Sequence, residues 1–248
     1  MNNLFDDIGF FYDLLYQDKD NKSEVNYVDS IIKDFGNKGK TILEFGSGTG
    51  RHSLHFAELG YKIHGIERSL SMVNSAKKTQ GFTCEQGDIT KIKLNSKFDN
   101  VISLFHVFSY LTNNSQVKKL LINANYHLKE GGLFIFDFWY SPAVITIKPE
   151  VRIKRFSNDQ YSIIRIAEPK ILVNKNIVEV NYTFLIKKIL TNENLTIKEL
   201  HPMRHFSIPE IEFMCNETGF KLIKAEEWLT GNKPSENSWG VCLVLKKI

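Results

Sequence analysis

A chain of 248 residues with 42% apolar and 24% charged side chains has the makeup of a soluble globular protein, long enough for one large domain or one carrying a sizeable insertion. Its formal charge of +4 comes from scattered lysines rather than a basic block, which argues against a nucleic-acid reader. No apolar run approaches the ~18 residues of a membrane span, no signal-peptide pattern is present, and Cys84, Cys215 and Cys242 have neither metal-ligand nor disulfide-framework spacing, so no metal and a reducing cytoplasm are expected.

Residues 1–36 read as helical, with Phe10, Phe11, Leu14 and Leu15 on one apolar face and Val25, Val28, Ile31, Ile32 and Phe35 on a second. Gly36 and Gly39 end the segment. Tyr12 and Tyr16 are either boundary aromatics or part of a lid over a ligand. Thr41–Phe45 suits a buried strand, Gly46, Gly48 and Gly50 form a loop with almost no side chain, and a helix follows from Arg51. Strand, glycine loop and helix N-terminus form the first unit of a nucleotide-binding α/β fold. The spacing is Gly-x-Gly-x-Gly rather than the dinucleotide Gly-x-Gly-x-x-Gly, and Glu44 precedes it. An acid there repels a pyrophosphate and suits a cationic amino-acid moiety, such as that of S-adenosylmethionine.

Tyr61–Glu67 reads as the second strand, and Glu67 stands near the distance at which such folds place a ribose-binding carboxylate. A helix over Ser71–Lys78 brings Met72 toward an adenine face. The third strand ends at Gly87-Asp88-Ile89, where Asp88 is a candidate acceptor for the adenine amine. The fourth covers Phe98–Phe105 and the fifth Gly131–Asp137. Leu104–Tyr110 and Phe138–Tyr140 supply an aromatic wall suited to a sulfonium cation. His106, just past strand four, is a candidate proton acceptor or a hydrogen-bonding group only. Asp137 either orients a substrate amine or fixes its loop.

Residues 146–206 contain four β-branched, partly alternating stretches (Lys148–Phe156, Tyr161–Val173, Ile177–Leu190 and Leu195–Phe206) separated by polar, Asn-containing turns. This antiparallel insertion falls after strand five, over the carboxyl edge of the sheet. It is expected to bind substrate, to form a homodimer sheet, or both. Alternation separates His201 and His205 from Pro202 and Arg204, and Arg204 is either a substrate anion ligand or a surface residue. Ser207 and Glu210 form a capping box for a helix running to Thr218, and Phe220–Trp228 and Trp239–Lys246 are the last strands.

The ordered set Glu44-x-Gly46-x-Gly48-x-Gly50, Glu67, Gly87-Asp88, Phe98-Asp99 and Gly131-Gly132 resembles class I S-adenosylmethionine-dependent methyltransferases over residues 40–140. The resemblance implies a Rossmann-like, seven-stranded, mostly parallel sheet flanked by helices, with its last strand antiparallel. The core would comprise 1–145 and 207–248, with an N-terminal lid. The implied donor set is Glu44, Gly46, Ser47, Gly48 and Gly50; Glu67, Arg68 and Met72; Asp88 and Ile89; and Leu104 with Phe105. Tyr12-Asp-Leu-Leu-Tyr16, Phe138-Trp-Tyr-Ser-Pro142 and the His201…Phe206 strand are similar to bacterial nucleotide-linked (dTDP) amino-sugar N-methyltransferases. That likeness would place Tyr12, Phe105, Trp139, Tyr140 and Arg204 on a sugar-nucleotide pocket. His106 and Tyr12 are the catalytic candidates, and Tyr16, Tyr110, Trp139, Tyr140, His201 and Arg204 the candidate substrate set. The acceptor is then a small molecule rather than nucleic acid or a membrane component. Another small-molecule N- or O-methyltransferase, a non-catalytic donor-binding protein and an RNA methyltransferase are the alternatives.

Overall fold

The computed structural model describes Phe5 and residues 7–248; residues 1–4 and 6, at the start of the expected helical segment, lie outside the described residues. Its strands are β1 (Thr41–Phe45), β2 (Lys62–Glu67), β3 (Phe82–Gln86), β4 (Phe98–Ser103), β5 (Leu128–Tyr140), β6 (Arg152–Ser157), β7 (Tyr161–Leu172), β8 (Ile177–Lys188), β9 (Asn194–Phe206), β10 (Phe220–Glu227) and β11 (Gly240–Lys247). Its helices are α1 (Tyr12–Leu15), α2 (Asn21–Phe35), α3 (Arg51–Glu58), α4 (Leu70–Ser75), α5 (Asn114–His127), α6 (Ser141–Ile147) and α7 (Ile208–Asn216).

β3, β2, β1, β4 and β5 lie side by side and parallel. β11 adds to β5 antiparallel, and β10 closes the sheet on β11. A parallel strand covered on both faces is buried along its length, as β1 and β4 are at almost every residue. Their apolar residues Ile42, Leu43, Phe45, Val101 and Ile102 pack into the two faces, while the buried Glu44, Asp99 and Ser103 are held by hydrogen bonds. On one face Phe45, Phe134, Phe136 and Phe138 pack with Leu120, Leu121 and Ala124 of α5 and Ile211 of α7. On the other, Ile42, Ile63, Phe82 and Ile135 pack with Val25, Val28 and Ile32 of α2 and Phe56 of α3. Burying a side chain of this size stabilises the fold by roughly 1.5–3 kcal/mol, so the two clusters hold the sheet.

β6–β9 form an antiparallel meander. β4 ends at Ser103, and β9 then takes the vacated edge of β5, pairing Trp139 with His205 and Tyr140 with Phe206. This hydrogen bonding fixes the meander at the carboxyl end of the parallel sheet. Ile8, Phe11 and Leu15 pack against Ile163, Phe184, Ile186 and Ile197, so the N-terminal segment rests on the meander's inner face.

Several boundaries differ from the sequence reading. The first helical stretch is broken between Tyr16 and Asp20, because the Asp20 carboxylate caps α2 by accepting the Ser23 N–H at 2.9 Å. The helix after Ser69 stops at Ser75, where Ala76 turns extended. α6 occupies Ser141–Ile147, where Pro142 in its first turn favours a helix start, so the meander begins later than expected. The capping box of Ser207 and Glu210 is present, though α7 ends at Asn216. Among the described residues no helix is long and apolar enough to cross a membrane.

Candidate active site

A cavity of about 570 Å³ opens over the carboxyl ends of β1, β2, β4 and β5. Its floor is the glycine loop. Gly46 and Gly48 have φ of +76° and +55°, a region that L side chains rarely adopt, and a Cβ on Gly46 would stand 2.6 Å from the Val107 methyls. Gly48 N–H donates to Glu67 Oε2 at 2.9 Å, and Ser69 N–H donates to Oε1 at 2.8 Å. One buried carboxylate thus ties the glycine loop to the start of α4. Ser47 Oγ, in the same loop, is buried and has no hydrogen-bond partner among the described residues.

Gly50 and Glu44 do not line the cavity, which corrects their assignment as donor ligands. Gly50 caps α3 at φ +84°, and a Cβ there would lie 2.1 Å from the Phe82 ring, so its glycine serves packing. Glu44 lies, by strand alternation, on the α3 face of β1. There its carboxylate accepts the Ser53 hydroxyl and stands 3.7 Å from His52 Nδ1. Burial raises its carboxyl above the usual range, against the opposing pull of His52 and Ser53.

The second wall comes from residues that sequence reasoning missed. Lys19 pairs with Glu24, approaches His52 Nε2 to 3.3 Å and stands 4.4 Å over the Phe105 ring. His52 Nε2 is 2.6 Å from Glu24 Oε2. Burial alone would raise Glu24, but the His52 and Lys19 contacts outweigh it and hold its carboxyl at about 2. Thr49 Oγ1 donates to Asp13 Oδ1 at 2.7 Å and Arg51 to the Tyr16 carbonyl at 2.7 Å, which fasten α1 over the loop. Arg51 stands next to the glycine motif and was within reach of a reading of that motif. Lys19 carries no local signal.

Past β4 the chain bends through two successive non-glycine residues at positive φ, Phe105 and His106, both at 63°. Each such residue costs of order 1–3 kcal/mol and persists only where its surroundings hold it. Here Asp137, fully buried at the end of β5, accepts the His106 N–H at 3.1 Å and lies 2.7 Å from His106 Nδ1. Trp139 stands edge-on to the imidazole, with ring centroids 6.3 Å apart.

At the adenine end of the sequence reading, Arg68, Met72, Asp88 and Ile89 line the cavity. Burial works to raise Asp88, but the Thr90 N–H and hydroxyl at 2.9 and 2.7 Å, with Lys91, bring its carboxyl below the usual range. Tyr12, Tyr16, Leu104, Phe105, His106, Tyr110 and Trp139 also line the cavity, joined by Tyr182 and Met203 from the meander. Tyr182 was recoverable from the alternation of β8, where Val178, Val180, Phe184 and Ile186 share its side. Burial, then Tyr16 and Glu67, hold the Tyr12 phenol well above its ordinary range, so it offers a hydroxyl and a ring face rather than a base.

The remaining substrate candidates separate. Tyr140 lies on the opposite face of β5 from Trp139 and packs into the Phe136–Phe206 core. Arg204 is buried away from the cavity, donating to Asn114 Oδ1 at 2.7 Å and Glu210 Oε1 at 2.5 Å, because alternation on β9 turns Met203, not Arg204, inward. Tyr140 and Arg204, expected on the substrate side, are thus both turned away from the cavity. His201 faces a smaller cavity of about 30 Å³ next to the large one, and Tyr12, Tyr16, Tyr110 and Tyr182 border both.

Residues 42–132 match the family described as a methyltransferase domain. A putative methyltransferase of Geobacillus sp. (strain WCH70) is 26% identical over 98% of this chain and 99% of its own length. The dTDP-3-amino-3,4,6-trideoxy-alpha-D-glucopyranose N,N-dimethyltransferase of Streptomyces venezuelae is 28% identical over 53% of this chain and 56% of its own. Among solved structures, an S-adenosylmethionine-dependent methyltransferase from Clostridium acetobutylicum ATCC 824 superposes with a TM-score of 0.80 at 18% identity, covering 99% of both chains. Residues 42–132 thus form a methyltransferase domain, and the chain takes the fold of solved S-adenosylmethionine-dependent methyltransferases.

Proposed function

We propose that the cavity binds S-adenosylmethionine along the glycine loop, Glu67 and Asp88, and that a small-molecule amine, of the nucleotide-linked amino-sugar type, is methylated beside His106. The residues fit the donor. Gly48 leaves its cavity side open, since a Cβ there would meet only Met72 Sδ at 3.8 Å. Ser47 Oγ lacks a partner among the described residues, and Glu67 and Asp88 place carboxylates on the lining. When bound, the donor supplies an electrophilic methyl carbon and a thioether leaving group.

The observation that carries the reading is the His106–Asp137 pair. Asp137 Oδ2 stands 2.7 Å from His106 Nδ1, close enough for its charge to act on the ring though outside hydrogen-bond geometry. With the proton of a neutral imidazole on Nδ1, beside that charge, Nε2 keeps a lone pair. An amine arrives as an ammonium ion, which has no lone pair to attack with. His106 Nε2 takes its proton, and the imidazolium that forms is stabilised by the Asp137 charge. Phe105, Tyr16 and Trp139 exclude water and orient the acceptor. The similarity to the Streptomyces venezuelae dimethyltransferase supports an amino-sugar acceptor. The same pair can take a proton from a hydroxyl, which makes O-methylation of a small metabolite the second reading.

Release of S-adenosylhomocysteine against paired amino and hydroxy acceptors tests the assignment. Turnover on the amino member alone is expected. Turnover only on hydroxyls moves the assignment to O-methylation.

A further inference from the structure

Apart from the His106–Asp137 pair, three polar side chains form a chain that the reading above does not use. Tyr110 Oη lies 2.8 Å from His201 Nδ1, and His201 Nε2 lies 2.7 Å from Glu199 Oε2. Tyr110 ends the 3-10 turn Val107–Tyr110, while Glu199 and His201 project from one face of β9. The histidine and glutamate side chains are 3% and 7% exposed. Phe5 and Tyr182 stand edge-on to the imidazole at 4.7 and 4.9 Å and fix its plane. Tyr110 borders the large cavity; His201 and Glu199 border only the small one behind it.

The protonation states set the direction of this chain. Glu199 accepts only, so it takes the His201 Nε2–H. With the ring in its neutral form Nδ1 is then bare, and Tyr110 donates to it. Burial, with Tyr182 and Tyr16 adding to it, holds the Tyr110 phenol well above its ordinary range, so the hydroxyl keeps its proton. That proton is engaged by His201, and the tyrosine oxygen has only lone pairs left for the cavity. The reacting nitrogen belongs to His106, so the donor that meets Tyr110 is another group. Glu199 and Arg165 share the small cavity and together leave it without net charge, which suits a neutral hydroxyl over a second ammonium.

Resting on the amine-acceptor reading, we propose that Tyr110, aligned by Glu199 through His201, is a specificity-determining acceptor for a hydroxyl group that the substrate carries close to its reacting amine. The ligand class is a hydroxylated amine rather than a plain alkyl amine. An ether or carbonyl at that position would set lone pair against lone pair.

The test compares kcat/KM for a dTDP-linked amino sugar and its counterpart lacking the hydroxyl next to the amine. Wild type, Tyr110→Phe and Glu199→Gln are assayed, with calorimetric S-adenosylmethionine binding as the check on folding. Wild type is expected to favour the hydroxylated acceptor by about tenfold or more, the worth of one hydrogen bond to a built site. In Tyr110→Phe the preference should fall below about threefold, through KM more than kcat. Glu199→Gln keeps every ring in place, but its amide can donate to Nε2 and leave the proton on Nδ1. Tyr110 then turns its hydroxyl to the cavity, and the preference should fall here too. A preference that survives both substitutions, or a wild type that treats the two acceptors alike, overturns the role of Tyr110. A wild type that methylates neither amine overturns the acceptor reading beneath it. If Tyr110→Phe loses donor binding, Glu199→Gln decides the matter.

Discussion

Asp137 and His106 meet across the ends of β5 and β4, with Asp137 Oδ2 2.7 Å from His106 Nδ1 and the carboxylate also taking the His106 N–H. One buried acid therefore holds the strained backbone that presents the ring and sets its negative charge beside the imidazole. In Asp137→Asn the amide can still accept the N–H, but it no longer stabilises an imidazolium. Turnover is expected to fall at least about 10²-fold while donor affinity changes less than about threefold. Steady-state rates beside calorimetric donor binding measure both, and wild-type turnover in this variant would remove His106 as the proton acceptor.

Glu67 joins the glycine loop to α4 through the Gly48 and Ser69 amides. Glu67→Ala leaves both amides without that acceptor and takes a carboxylate from the lining. Donor affinity is expected to weaken at least tenfold. An unchanged dissociation constant for S-adenosylmethionine would sink the proposed donor contact.

The first half of the fold was legible because its signals are local. Thr41–Gly50 states strand, loop and helix within ten residues, and Ser207 with Glu210 spells out a helix start. The site was less legible where residues meet from distant segments. Nothing around Lys19 announces Glu24, His52 and Phe105 as its neighbours. Alternation sorted β9 into two faces but did not say which one faces the cavity, so Arg204 was drawn toward a substrate it does not meet. Glu44 shows the same limit, since a motif position does not reveal the face of β1 on which its side chain lies.

Arg204 offers a direct check on that correction. Arg204→Met removes the partner of Glu210 and Asn114 in a buried setting. Breaking a buried pair costs up to about 3–5 kcal/mol, so the thermal midpoint should drop by several degrees while KM for the acceptor stays within about twofold. A large KM change with an unmoved midpoint would return Arg204 to the substrate site.

Gly50 and Gly60 share nearly the same φ, +84° and +82°, but only Gly50 is crowded, by Phe82. Gly60→Ala is expected to cost about 1 kcal/mol from backbone strain alone. Gly50→Ala must also displace a buried phenylalanine and is expected to cost at least about 2 kcal/mol more, or to prevent folding. Denaturant titration of the two variants measures the difference, and equal losses would contradict the packing role assigned to Gly50.

His127 sets an acid limit on stability. Its Nδ1 lies 2.8 Å from the Asn123 carbonyl, and its Nε2 accepts the Leu94 N–H at 3.0 Å, so the ring must be neutral to satisfy both. Burial, opposed by the Asn123 contact and aided by Lys93 and Lys97, lowers its pKa below the usual 6.5. Because the folded value is the depressed one, the unfolded chain binds the proton first. Stability is therefore full above the unfolded pKa and is lost as pH falls through 6.5 toward the folded value. The thermal midpoint should decline across that window, and His127→Gln should flatten this part of the decline. An unaltered pH profile in the variant would assign the decline to other groups.

The measurement that bears most directly on the account is S-adenosylhomocysteine release by the wild-type protein, given S-adenosylmethionine and a panel of dTDP- and UDP-linked amino sugars beside their hydroxy counterparts. Methylation of an amino sugar, with the hydroxy counterpart left untouched, is the expected result. Donor binding with no turnover on any amine would contradict the assignment of the His106–Asp137 pair as the proton acceptor for an amine.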